Sequence, residues 1–209
     1  MTVTKQMVET FTAKAKLVSA VVSEVKTLQE AYEYTVDLCD KKEMCQLLVS
    51  GCELNLSESS EQLCDEKTAK IIAAPGMKTQ QYNALKKVSD GKGFELIDAG
   101  LRKYLAGIDI GFTLCDLGIA ETGTLVLNSD SEDVRLATMV AETHVAVLPK
   151  SKLRATSYDA ETEVLAFMKK TPNYLAFITG ASRTADIERV LALGVHGPLE
   201  LHILLWEDK

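Results

Sequence analysis

The chain has 209 residues, 46% of them hydrophobic and 25% charged, a composition that can bury a core and lies far from that of a disordered chain. Lys and Arg number 23 against 30 Asp and Glu, a formal charge of −7 with no basic run to offset it, which argues against nucleic acid as a partner. No eighteen consecutive residues are apolar and residues 1–16 lack the apolar run of a secretory signal, so the expectation is one soluble, cytoplasmic domain without a membrane span.

Met7, Val8 and Phe11 fall on one face and predict a short amphipathic helix over 3–14 that packs on the body of the fold. A Val- and Ala-rich piece, 17–25, reads as a strand. It is followed by Thr27-Leu28-Gln29-Glu30, the spacing of a capping box, and by a helix over 28–39. Short apolar runs at 45–49, 70–73 and 94–97 read as strands, ended by Gly51, Pro75-Gly76 and the following polar residues, with a helix over 80–88 between the second and third. Three β-prone pieces, 108–113, 117–120 and 124–127, are separated by Asp, Gly and a Glu-Thr-Gly turn. A helix over 131–142 leads into a buried strand over 144–148. The segment 157–170 predicts a helix with Val164, Leu165, Phe167 and Met168 on its apolar face, followed by strands over 174–179 and 199–205. Strands that alternate with helices and are mostly continuous apolar runs predict an α/β fold, its mostly parallel sheet covered by helices on both faces.

The five cysteines, Cys39, Cys45, Cys52, Cys64 and Cys115, contain no C-x-x-C pair, a poor match to zinc ribbons and iron–sulfur motifs. Cys39, Cys45 and Cys115 lie in apolar surroundings and read as buried residues. Cys52 and Cys64 flank a serine-rich stretch and read as exposed thiols. No metal site and no cofactor are expected in this chain.

Three glycine-punctuated stretches carry groups with chemistry. In Ala120-Glu121-Thr122-Gly123-Thr124, backbone N–H groups of a turn can face an anion while Glu121 stands beside them as base or nucleophile; spacing alone favours a plain hairpin turn with a solvated glutamate. In Gly180-Ala181-Ser182-Arg183-Thr184-Ala185-Asp186, open backbone donors, hydroxyls and a guanidinium after a strand are the ingredients of a phosphate or carboxylate cradle, or equally of an ordinary helix cap. The Walker spacing is absent. In Gly194-Val195-His196-Gly197-Pro198, His196 sits between glycines in a loop, where an imidazole readily reaches a cleft, whereas His202 lies in an apolar strand and reads first as a core or edge histidine.

The segment 111–124, a Gly-Phe-Thr piece followed by Ala-Glu-Thr-Gly-Thr, resembles the first signature of the lactate-utilisation (LUD) domain family. The segment 179–202, with Ser182-Arg183-Thr184-Ala185-Asp186-Ile187-Glu188 and Leu193-Gly194-Val195-His196-Gly197-Pro198 ahead of Glu200-Leu201-His202, resembles the second. Leu114 and Cys115 stand where small residues are expected, and the stretch 52–64 has no counterpart in the family. The resemblance implies a fold like that of the sugar-phosphate isomerases and coenzyme A transferases. It implies a non-redox subunit in the oxidation of L-lactate to pyruvate, with iron–sulfur clusters in partner subunits and a small anionic or nucleotide-like ligand on this chain; a homo-oligomer is compatible with it. The residues expected to serve that ligand are Glu121 and His196 as catalytic groups and Thr122, Gly123, Thr124, Gly180, Ser182, Arg183, Thr184, Asp186 and Gly197 as binding groups. Of these, Glu121, Arg183, Asp186 and His196 are expected to converge at the carboxyl ends of the parallel strands. A stand-alone transferase or ligase of the same superfamily, among them formyltetrahydrofolate cyclo-ligases, and a non-catalytic regulatory protein are the alternatives. Turnover by the isolated chain would mark the first, and indifference to Glu121→Ala and Arg183→Ala the second.

Overall fold

A computed structural model describes residues 3–44, 67–104, 107–169, 171, 173–184, 192–193 and 197–209. Its centre is a six-stranded, wholly parallel sheet built from β1 (Ala20–Val25), β2 (Ile71–Ala73), β3 (Glu95–Ile97), β4 (Ile108–Leu114), β7 (Ala141–Pro149) and β12 (Glu200–Trp206). Their order is β1-β12-β7-β4-β2-β3. The central strands are apolar on both sides because both faces are covered: Ile110, Phe112, Val145 and Leu204 point to one face, and Ala146, Leu148, Leu201 and Ile203 to the other. The first face carries α2 (Leu28–Lys41) and α3 (Thr79–Asp90), which bury Tyr32, Val36 and Leu85. The second carries α1 (Lys5–Leu17), through Phe11 and Ala15, and α4 (Glu132–Met139). The predicted strand over 45–49, with Cys45, Cys52 and Cys64, lies outside the described residues.

The hairpin of β5 (Leu117–Ile119) and β6 (Thr124–Asn128) leaves the parallel sheet. It forms a second sheet of order β8-β5-β6-β9 with β8 (Leu153–Arg154) and β9 (Leu175–Ile178). One side of this sheet, with Leu125 and Leu127, packs against α1 and β7. Its other side, with Leu117, Ile119 and Val126, is covered by α5 (Ser157–Met168). A two-stranded ribbon, β10 (Arg183–Thr184) and β11 (Ala192–Leu193), completes the described strands.

Local chemistry explains several boundaries. Thr27 Oγ1 accepts the Glu30 N–H at 3.2 Å, as the capping spacing predicts, but the Glu30 carboxylate accepts the N–H of Lys26 rather than that of Thr27. The helix predicted over 131–142 ends at Met139, because Ala141 already pairs with Ile108 and the chain is drawn into β7. On α5, Val164 and Phe167 pack inward as expected, whereas Leu165 and Met168 are half-exposed. Gly111 lies under α4 so closely that a Cβ there would stand 2.0 Å from the carbonyl oxygen of Ala137. That contact seats α4, and with it Thr138, directly on β4.

Candidate functional site

The two glycine turns meet at the last turn of α1. Gly123 has φ +68°, and a Cβ on it would lie 2.4 Å from the backbone nitrogen of Ala15. Gly180 has φ +85° and presses equally closely on the carbonyl oxygen of Val18, two residues ahead of β1. Thr124 Oγ1 links them, at 2.7 Å from both Thr122 Oγ1 and Thr179 Oγ1. The Ser182 N–H donates to the carbonyl of Pro198, and Leu199 donates to Glu142 at the start of β7. This fixes the loop after β9 beside Gly197 and Pro198, at the amino end of β12. The described members of the expected constellation therefore gather on the amino-terminal side of the parallel sheet, not at the carboxyl ends of its strands. The physical reason is the second sheet: β6 and β9 run antiparallel, so β9 delivers Thr179 and Gly180 to the edge where β1 begins.

Each group has a definite place. The Glu121 carboxylate accepts the Ser157 N–H at 2.6 Å and so caps the start of α5, alongside the reciprocal bonds of Thr156 and Asp159. The N–H groups of Glu121 and Gly123 donate to the carbonyls of Ala155 and Ile119, so this turn has no free donors at those two positions. Arg183 is exposed, and its backbone pairs with Leu193; Thr184 pairs with Ala192. Asp186 and His196 lie outside the described residues.

Beneath the loop lies a residue that sequence reasoning placed only in a buried strand. His144 of β7 is 1% exposed, and its Nε2 meets Thr113 Oγ1 of β4 at 2.8 Å. Burial with no charged partner pushes the imidazole down to about 4, so the ring is neutral at physiological pH. With Thr138, Ile178, Gly180, Ala181, Pro198 and Leu201 it encloses a cavity of about 20 Å³. The sequence signal was available in principle, as a lone histidine in an otherwise apolar run, but nothing local tied it to the loop that covers it.

On the opposite face of the same edge, Tyr34 Oη lies 2.8 Å from His202 Nδ1, and His202 Nε2 lies 3.1 Å from Glu200. Glu200 in turn pairs with Lys42 at 2.9 Å, and Lys42 stands 3.7 Å from Glu142. Burial opposes ionisation of Glu200, but Lys42 and His202 outweigh it and hold the carboxyl below the ordinary range. Both ring nitrogens of His202 are engaged, so it is a structural link between α2 and β12. Cys39 and Cys115 are buried, as the sequence suggests. Burial, as the leading cause, pushes the Cys39 thiol up to about 12 and Cys115 up as well, so neither is a thiolate. Among the described residues no three His, Cys, Asp or Glu side chains are placed to hold a metal, and no helix is long and apolar enough to cross a membrane.

At the carboxyl ends of β2 and β4, where connections leave in opposite directions, there is a crevice of about 220 Å³. Its polar lining is Thr113, Asp116, Asn128, Asp130 and Ser131. None of the residues singled out from the glycine-punctuated stretches lines it.

The family model described as the LUD domain matches residues 8–206. Lactate utilization protein C of Macrococcus caseolyticus is 35% identical over 104 residues, 48% of this chain and 45% of that protein. Lactate utilization protein C of Oceanobacillus iheyensis is 32% identical over 141 residues, covering 63% and 60%. An uncharacterized protein of Neisseria meningitidis serogroup B is 36% identical over 108 residues, covering 52% and 46%. The matched stretch spans about half the length of these curated relatives. In fold, the chain is similar to a DUF162 family protein of Deinococcus radiodurans, with a TM-score of 0.61, 16% identity and 96% of each chain covered. With a family match running almost from end to end, the chain belongs to the LUD domain family.

Proposed function

We propose that this chain serves L-lactate utilisation as a subunit without a redox group of its own, working with iron–sulfur partners and binding a small anionic or nucleotide-like ligand at the amino-side loop site. The single observation that carries this reading is the end-to-end family match, taken with relatives named lactate utilization protein C. The geometry supports the location. The loop from Gly180 to Arg183 is pinned to Pro198, offers an exposed guanidinium and backbone groups, and roofs a cavity floored by a neutral imidazole. In this reading Arg183, Ser182, Gly180, Thr184 and Gly197 contact the ligand. Thr122, Gly123 and Thr124 hold the loop through Thr179, and Glu121 fixes the adjoining helix.

The test is a thermal-shift series with L-lactate, pyruvate, nucleotides, coenzyme A esters and folates on the native chain and on Arg183→Ala, since a ligand that binds only the folded state raises its melting temperature. A rise of several degrees that disappears in Arg183→Ala is expected. A rise that survives the substitution places the ligand elsewhere and defeats the loop assignment. Turnover of a coenzyme A ester or folate by the isolated chain would replace the subunit reading with that of an enzyme.

A further inference from the structure

Helix α5 is apolar on more than the side it buries. Ala160, Val164 and Phe167 turn inward onto Leu117, Ile119 and Val126 of the second sheet. On the outward side Leu165 is 49% exposed and Met168 53%, although the sequence pattern puts both on an apolar face. A helix that is apolar all round is ordinarily buried all round. The flank toward β8 is occupied, because Glu163 bonds Arg154 there. Helical spacing puts Met168 and Leu165 on the opposite flank, and Asn173, which donates to the Met168 carbonyl at 2.7 Å, leads from there into β9. Phe177 of β9 pairs with Val126, so it stands on the face of the sheet that α5 covers, and it is 53% exposed. Leu165, Met168 and Phe177 thereby line one outer surface, made by α5 and the last strand of the second sheet.

The charges on this surface are arranged self-complementarily. Glu161 and Lys169, both exposed, stand four residues before and four residues after Leu165. At that spacing the three share one row of the helix, each charge about 6 Å along the axis from Leu165. A two-fold axis at Leu165 therefore sets the two Leu165 side chains against each other and Glu161 of each copy against Lys169 of the other. The chain as a whole carries −7, so two copies repel except where opposite charges are matched in this way. We propose that this surface is a homodimer interface, in which α5 packs antiparallel on α5 of a second copy about a two-fold axis at Leu165. Leu165, Met168 and Phe177 form its apolar centre, and a Glu161–Lys169 pair closes each end. The surface is small beside that of a permanent dimer, so the association is reversible. It is independent of the loop-site reading.

The experiment is sedimentation velocity of the full chain from low micromolar to sub-millimolar concentration, on the wild type, Leu165→Glu, Glu161→Lys, Lys169→Glu and the double reversal Glu161→Lys with Lys169→Glu. The wild type is expected to pass from monomer to dimer across this range, and Leu165→Glu to remain a monomer with an unchanged melting temperature. Each single reversal sets like charges together at both ends and should raise the dimer Kd about fivefold or more; the double reversal restores opposite pairs and should return the Kd to near the wild-type value. A wild type that is monomeric throughout overturns the proposal and leaves the surface to a different protein. A dimer indifferent to Leu165→Glu places the interface elsewhere, and a double reversal no better than the single ones refutes the antiparallel pairing. Because Glu161 and Lys169 are exposed, the charge series decides the matter even if Leu165→Glu proves unstable.

Discussion

Burial without a charged partner keeps His144 neutral in the folded chain, pushed down to about 4, whereas in the unfolded chain the ring titrates at the ordinary value of about 6.5. Between these values the unfolded chain binds more protons than the folded one, so this contribution to stability is complete above about pH 6.5 and is lost as pH falls toward 4. Denaturant titrations at pH 7 and pH 5 should show a loss of roughly 1–2 kcal/mol from this group. Equal stability at the two pH values would mean that the imidazole is solvated or paired. Thr143, the neighbouring residue, points to the other face, and its hydroxyl is buried with no hydrogen-bond partner. Such a group is a cost retained in the core, and Thr143→Val, its apolar isostere, removes an unpaired hydroxyl rather than a contact.

At the scale of elements, Glu121 illustrates how a motif divides its tasks. Its carboxylate caps α5 from the turn between β5 and β6, so Glu121→Ala should lower stability by about 1 kcal/mol, as loss of a helix cap does. Under the capping account Glu121→Gln, which keeps an acceptor, recovers most of that loss in a denaturant titration. A variant Glu121→Ala with unchanged stability but lost ligand binding would return the residue to the chemistry that its sequence context suggested. Gly123 and Gly180 are likewise explained by contact with the end of α1 at positive φ, a tertiary approach that spacing cannot show. What could be read from sequence was periodic: the helix capped by Thr27, the buried runs of β2, β4, β7 and β12, and the hairpin turn at Gly123. What could not be read was set by pairing over distance, as in the early end of α4 at β7 or the choice of sheet for β5 and β6.

For the whole molecule, the decisive feature is the second sheet, which folds the chain back over one face of the parallel sheet. It moves the loop after β9 to the edge where β1, β12 and β7 begin. Open α/β sheets commonly bind ligands at the opposite edge, and here that edge has its own crevice, between β2 and β4. The structure places the loops of the sequence motifs at the amino edge rather than at the edge the fold-level rule names, because the rule concerns loops that follow parallel strands and β9 is antiparallel to β6. The central claim is that the ligand of this chain binds on the amino side. Hydrogen–deuterium exchange with and without L-lactate, read peptide by peptide, tests it most directly. The account predicts slower exchange across 178–183 and 198–201 and at the amino end of β7; protection confined to the crevice segments 75–77, 114–116 and 128–131 would contradict it.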